Sequence, residues 1–227
     1  MCGRFTLHAS AADLASTFGL NLAGFRIEAR YNISPGQWIF VLRPEKHQGH
    51  SLTLARWGLV PTWAKDPGLG PKPINARAEG LEDKPTFRGA FRHGRCLIPA
   101  SGFYEWQGSG KFKQPFYIHP AQGGLFAFAG LWSEWAGPDG ELSTCAIITT
   151  AANDFMATLH DRMPVILPQE AWPAWLDPTT SSKAAADLLV ACPSERLAAH
   201  PVALAVGRVG MDSPDLVLPM DPGALRF

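Results

Sequence analysis

The chain has 227 residues, 46% hydrophobic and 18% charged, enough to fill one sizeable core and too apolar for intrinsic disorder. Formal net charge is zero, which taken alone argues against a nucleic-acid partner, yet residues 1–115 carry 15 Lys and Arg against 8 Asp and Glu while residues 116–227 carry 5 against 12. A basic binding face on a neutral protein has this pattern, as does a fold that intermixes the two halves. No apolar run approaches the roughly 20 residues that span a bilayer, and no charged-then-apolar segment opens the chain, so a soluble, cytoplasmic protein without membrane contact is expected. Cys2, Cys96, Cys145 and Cys192 lie far apart with no CxxC pair, which points to reduced thiols and to neither a zinc site, another metal or cofactor, nor a disulfide framework.

Ser10 followed by Asp13, then Leu14, Phe18 and Gly19, predicts a short capped helix. Strand patterns follow at Trp38–Arg43, Leu52–Trp57, Arg95–Ile98, Phe103–Trp106, Phe116–His119, Leu125–Leu131 and Thr144–Thr149, each short, rich in aromatic or β-branched residues and bounded by Gly, Pro or Asp. Residues 61–75, with four prolines, read as a surface loop. Helical signals return near 153–158, 169–176 and 181–190, with a last strand near 196–202. The expected class is α+β, with curved antiparallel sheets closing into a barrel-like core, peripheral helices and a single domain over residues 1–227.

Removal of Met1 would leave Cys2 with a free α-amine and a thiol on adjacent carbons. The amine, with an ordinary pKa near ~8, condenses with aldehydes, and the thiol, near ~8.5, then closes a five-membered thiazolidine in an intramolecular step. Asn75, Glu105 and His160 stand as polar groups inside apolar or aromatic segments, where an unpaired amide, carboxylate or imidazole is costly. Each also has a plain structural reading: a turn-capping amide, a strand-end carboxylate paired with an arginine, a satisfied core histidine. Glu105 sits least easily with its plain reading, because Phe103, Tyr104 and Trp106 flank it and desolvation would raise its pKa.

MCGRF at the start, YNISPGQ at 31–37, WGLVPTW at 57–63, INARAE at 74–79, KPTFR at 84–88, CLIPASGFYEW at 96–106 and LHDRMPVIL at 159–167 occur in order. Together they resemble the SRAP (SOS response-associated peptidase) family, from residue 1 to about residue 210. The resemblance implies an enzyme of DNA repair that crosslinks to abasic sites in single-stranded DNA, with junctions of single and double strand as a further target. The implied linkage is a thiazolidine on Cys2 after loss of Met1, with autopeptidase and lyase-like chemistry beside it. Asn75, Glu105 and His160 match the family's other active-site positions: Glu105 would relay protons at the α-amine, His160 would assist sugar opening, and Asn75 would orient the cysteine backbone or the substrate. Arg4, Arg77 and Arg162, with Arg88 behind them, are the expected phosphate contacts, and Trp63 and Trp106 the expected stacking surfaces. Plain core packing competes for both tryptophans, more strongly for Trp106. Ala64 stands where some relatives carry a second tryptophan, which weakens any duplex-wedging role for that loop. A monomer is expected.

Two rivals come from other classes. N-terminal-nucleophile glutamine amidotransferases also expose Cys2, but their oxyanion hole typically includes an Asn-Gly pair, and this chain has none. A noncatalytic reader of DNA would bind reversibly and in a salt-sensitive way, leaving no species that survives denaturation.

Overall fold

A computed structural model describes residues 2–45, 49–109, 112–138 and 140–220. Met1, whose removal the sequence reading expects, lies outside them. In chain order the elements are β1 (Phe5–Leu7), α1 (Ala11–Phe18), β2 (Arg30–Ile33), β3 (Trp38–Glu45), β4 (Gly49–Trp57), β5 (Asn75–Arg77), α2 (Pro85–His93), β6 (Arg95–Ala100), β7 (Gly102–Ser109), β8 (Phe112–Pro120), β9 (Phe126–Gly137), β10 (Gly140–Ala151), α3 (Asp154–Ala157), β11 (Arg162–Pro164), α4 (Trp172–Leu176), α5 (Ser182–Asp187) and β12 (Leu197–Pro201).

Strands β10, β4, β3, β6 and β9 pair in that order, and β9 returns to β10, closing a five-stranded barrel. Closure removes the exposed edges that an open sheet would present. The expected antiparallel pairing holds for most of the ring but not for β10, which runs parallel to β4 (Cys145 opposite Trp57) and to β5 (Ile147 opposite Asn75). β10 follows β4 and β5 only after α2 and four further strands, which leaves ample chain for the crossover that parallel pairing needs. The second sheet is antiparallel in the order β12-β8-β7-β1-β2.

Period-two alternation explains how the two layers meet. On β1 and β7, Phe5 and Phe103 turn toward the barrel and are buried; Phe5 packs edge-on against Trp57 at 5.2 Å between ring centroids, and Phe103 against Phe128 at 5.9 Å. Such edge-to-face pairs contribute about 0.5–1.5 kcal/mol beyond the area they bury. Tyr104, on the opposite face of β7, joins a smaller cluster with Tyr117, Val202, Val206 and Leu216. Gly102 opens β7 because a Cβ there would stand 2.5 Å from the Tyr117 ring.

Helix α1 begins with the predicted capping box: Asp13 N–H donates to Ser10 Oγ at 3.1 Å, and Ser10 N–H donates to the Asp13 carboxylate at 3.0 Å. Gly19 ends it at φ 64°, a left-handed conformation that suits glycine. Among the described residues no helix is long and apolar enough to cross a membrane.

Candidate active site

Cys2 is completely buried where the chain runs into β1. Phe5 lies opposite Phe103, and the Tyr104 amide donates to the Arg4 carbonyl at 3.0 Å, so the same antiparallel register carried two residues further sets Gly3 opposite Glu105. Glu105 shares the face of β7 that carries Phe103, which turns its carboxyl inward and leaves only 3% of the residue exposed. Burial raises its pKa above the ordinary carboxylate value. Burial first, and then the Glu105 charge, pushes the Cys2 thiol far above its usual range.

Asn75, the first residue of β5, reaches across from the barrel and donates through Nδ2 to the Cys2 carbonyl at 2.9 Å. Among the described residues its Oδ1 is buried without a hydrogen-bond partner, as is the Thr149 hydroxyl on the adjoining β10. The 61–75 loop thus ends one residue earlier than its prolines indicate. The strand begins at Asn75 because the neighbouring β10 edge supplies pairing, from Ile147 to Thr149, that sequence alone does not reveal.

His160 follows α3, whose N-cap Asn153 accepts from the Met156 amide. Its Nδ1 lies 2.9 Å from the Arg162 backbone nitrogen and 2.8 Å from Asp161 Oδ1. The two contacts ask for opposite protonation: the amide needs a lone pair and the carboxylate a proton. The strand fixes the amide, whereas the Asp161 side chain is 86% exposed and able to turn into water, so Nδ1 acts as the acceptor and the ring proton sits on Nε2.

Cys2, Asn75, Glu105 and His160 therefore converge from the segment that leads into β1, from β5, from β7 and from the turn before β11. A thiol, a carboxyl whose pKa burial raises, an imidazole and an amide on the cysteine backbone are groups able to support nucleophilic addition with proton relay. Among the described residues no group of three or more His, Cys, Asp or Glu is placed to hold a metal ion.

The expected DNA contacts separate into engaged and open groups. The Arg4 guanidinium donates to Asn32 Oδ1 at 2.7 Å and to the carbonyls of Val206 and Gly207, tying the N-terminal strand to the C-terminal turns. Arg162 is held by both oxygens of Glu79 at 2.8 Å and by the Thr149 carbonyl at 2.7 Å. Part of the basic surplus is consumed inside the fold: Arg95 is buried and donates to the carbonyls of Trp175, Phe91 and Asp177. Arg77 is exposed and shares the Asn75 face of β5 by alternation, while Arg88 is exposed on α2. Trp63 is 64% exposed, its Nε1 donating to the Pro85 carbonyl, and it lines a cavity of about 310 Å³ with Arg88, His93 and Trp132. Trp106 lies on the face of β7 opposite Glu105 and packs against the Tyr104–Tyr117 cluster. The Ala64 carbonyl accepts from Trp135 Nε1 at 2.6 Å, which pins the loop through its backbone.

Sequence reasoning did not single out Glu79 or Thr149. Glu79 belongs to the INARAE segment, but its bond to Arg162 spans 83 residues, and nothing local signals a contact of that range.

The sequence matches the SOS response associated peptidase (SRAP) family over residues 1–209. Similar curated proteins include the abasic site processing protein YoqW of Bacillus subtilis, 41% identical over 96% of this chain and 99% of its own. YedK of Escherichia coli, also named an abasic site processing protein, is 31% identical over 97% of this chain and 100% of its own. A protein of Bacteroides thetaiotaomicron has a similar crystal structure, with TM-score 0.87, 26% identity and coverage of 96% of this chain and 100% of that one. With the family model matching residues 1–209 and a relative 41% identical over nearly its whole length, the chain belongs to the SRAP family.

Proposed function

We propose that this protein processes abasic sites in DNA by capturing the ring-opened sugar of a base-lacking nucleotide in single-stranded DNA, through Cys2 once Met1 has been removed. The names of its relatives support the substrate class. The observation that carries the mechanism is the bond from Asn75 Nδ2 to the Cys2 carbonyl, which holds the cysteine backbone beside the buried Glu105 carboxyl.

The α-amine of the processed chain attacks the sugar aldehyde to form a carbinolamine, and loss of one water leaves an imine. The Cys2 sulfur then bonds to the imine carbon; the C=N electron pair moves to nitrogen, which takes up the proton that the thiol gives up. Glu105 relays protons at the amine during addition and dehydration, a role suited to a carboxyl whose pKa burial has raised. His160, with its proton on Nε2, assists opening of the sugar ring and stabilises the oxygen that leaves. The unpartnered Asn75 Oδ1 and Thr149 hydroxyl are available to the sugar. We assign removal of Met1 to the same Glu105–His160 pair.

Phosphate contacts fall to Arg77 and Arg88, whose side chains are exposed, ahead of Arg4 and Arg162, whose guanidinium groups are engaged within the chain. Trp63 offers a stacking face to a flanking base, and Trp106 serves as packing.

Incubating processed protein with a uracil-excised single-stranded oligonucleotide and resolving the mixture on a denaturing gel tests the reading. A shifted band that disappears in Cys2→Ala is expected. No band with the wild type would leave the noncatalytic reader standing.

A further inference from the structure

The barrel side of the site is built around two three-residue strands, β5 carrying Asn75 and β11 following His160. Strands this short bring few ladder bonds of their own and take their position from what ties them to their neighbours. Both flank the C-terminal end of β10, where one carbonyl serves them together: Thr149 O accepts from the Ala78 amide at 2.8 Å and from Arg162 Nη2 at 2.7 Å. Glu79, two residues beyond β5, completes the tie. Its two carboxylate oxygens take Nη1 and Nη2 of Arg162, each at 2.8 Å, in the parallel fork geometry that fixes orientation as well as distance. The Arg162 side chain is 13% exposed, so this pair is screened less than an ordinary surface ion pair, although Glu79 itself is 59% exposed. Arg162 in turn gives its backbone N–H to His160 Nδ1. An unbroken path of charged and backbone hydrogen bonds therefore runs from the strand bearing Asn75 to the imidazole of His160.

We propose that Glu79, which touches no reacting atom, is a positioning residue: its two-point grip on Arg162 locks the Asn75 strand to the segment that presents His160. The proposal rests on the reading of Asn75 and His160 as the site's working groups, and it gives Arg162 a role within the chain beside any contact with phosphate. Glu79→Gln removes the charge and one acceptor oxygen while keeping the size; Glu79→Asp keeps the charge but shortens the reach.

The test has two arms that use the full chain with Met1 removed. In DNA-free protein labelled with ¹⁵N on histidine, the His160 ring signals, assigned by their loss in His160→Ala, should show Nδ1 as a hydrogen-bonded acceptor. Glu79→Gln should move them toward mixed tautomers, and Glu79→Asp should move them less. In single-turnover crosslinking, Glu79→Gln should slow the rate at saturating abasic oligonucleotide by about tenfold or more, as small misplacements of working groups do. The half-saturating DNA concentration should change by less than about twofold, the signature of lost orientation as opposed to lost binding. Unchanged histidine spectra would overturn the positioning role, as would a Glu79→Gln effect confined to tighter DNA binding, which would make Glu79 a competitor for Arg162. A wild type that forms no crosslink would sink the proposed function, while the spectra would still decide the role of Glu79.

Discussion

Cys2 and Cys145 are both completely buried, and burial pushes both thiols far above their ordinary pKa, yet their surroundings differ in kind. Cys145 sits in the barrel wall on β10, opposite Trp57 and Trp132, in a stretch of seven consecutive buried residues. Cys2 lies between the barrel strand that carries Asn75 and the second-sheet strand that carries Glu105, with the Glu105 charge acting on its sulfur and the Asn75 amide on its carbonyl. Burial thus does not distinguish the two thiols; the polar neighbours of Cys2 do, because each one costs free energy that packing alone would not justify, and they are what singles out Cys2 as the proposed nucleophile.

The sharpest way to break this contrast is to remove each thiol in turn. Cys2→Ala should abolish the denaturation-resistant adduct. Cys145→Ser should form it at the wild-type rate while losing about 1–3 kcal/mol of stability in urea unfolding, the cost of a hydroxyl buried without a partner. An adduct that vanishes only in the second variant would invert the account. Next in size are the proton-relay groups: Glu105→Gln and His160→Ala should each slow single-turnover crosslinking by about 100-fold, within the usual reach of general acid–base catalysis. Wild-type rates in both would remove the relay and leave only the nucleophile. Trp63→Ala should weaken binding of single-stranded DNA by about 1–3 kcal/mol if its exposed indole stacks on a base, measurable by fluorescence anisotropy.

A smaller effect separates activity from stability. Because burial raises the Glu105 carboxyl, the folded state keeps its proton at pH values where the unfolded chain has lost it. Wild-type stability therefore falls as pH rises from the ordinary Glu value, about 4.3, to the raised one. Glu105→Gln lacks this dependence. Its Tm should exceed the wild type's by a margin of about 2–4 °C per kcal/mol, and that margin should grow with pH through the window and then level off. Calorimetry that shows a margin independent of pH would mean that Glu105 is not held against its charge. The smallest expected change comes from Arg77→Ala, which should reduce the slope of log affinity against log salt by about 0.7, one phosphate contact on a single strand.

Much of this architecture is legible in the residues. The Ser10–Asp13 box and Gly19 mark α1, and alternating or continuous apolar runs mark the long strands, because burial on one or both faces writes itself into the pattern. Strands β1, β2, β5 and β11 escape detection, since three or four residues cannot display a period and their pairing is set by distant partners. Helix α2 carries a usable signal, Pro85 at its start with Phe87 and Phe91 four apart on the buried face, but no side-chain cap announces it. At the candidate site, Cys2 stands out by its place directly after Met1, and Asn75, Glu105 and His160 as polar groups among apolar neighbours. What holds them together does not: the ties from Asn75 to Cys2 and from Arg162 to Glu79 span 73 and 83 residues. Arg4 and Arg162 look alike in sequence as free cations and differ from Arg77 only once their partners are seen.

The most direct measurement is the mass of the product formed when protein lacking Met1 meets an oligonucleotide with one base removed. The account predicts a single species weighing the sum of the two less one water, with the attached residue identified by fragmentation as Cys2. Two unjoined components, or a linkage mapped to a lysine or to another cysteine, would contradict it.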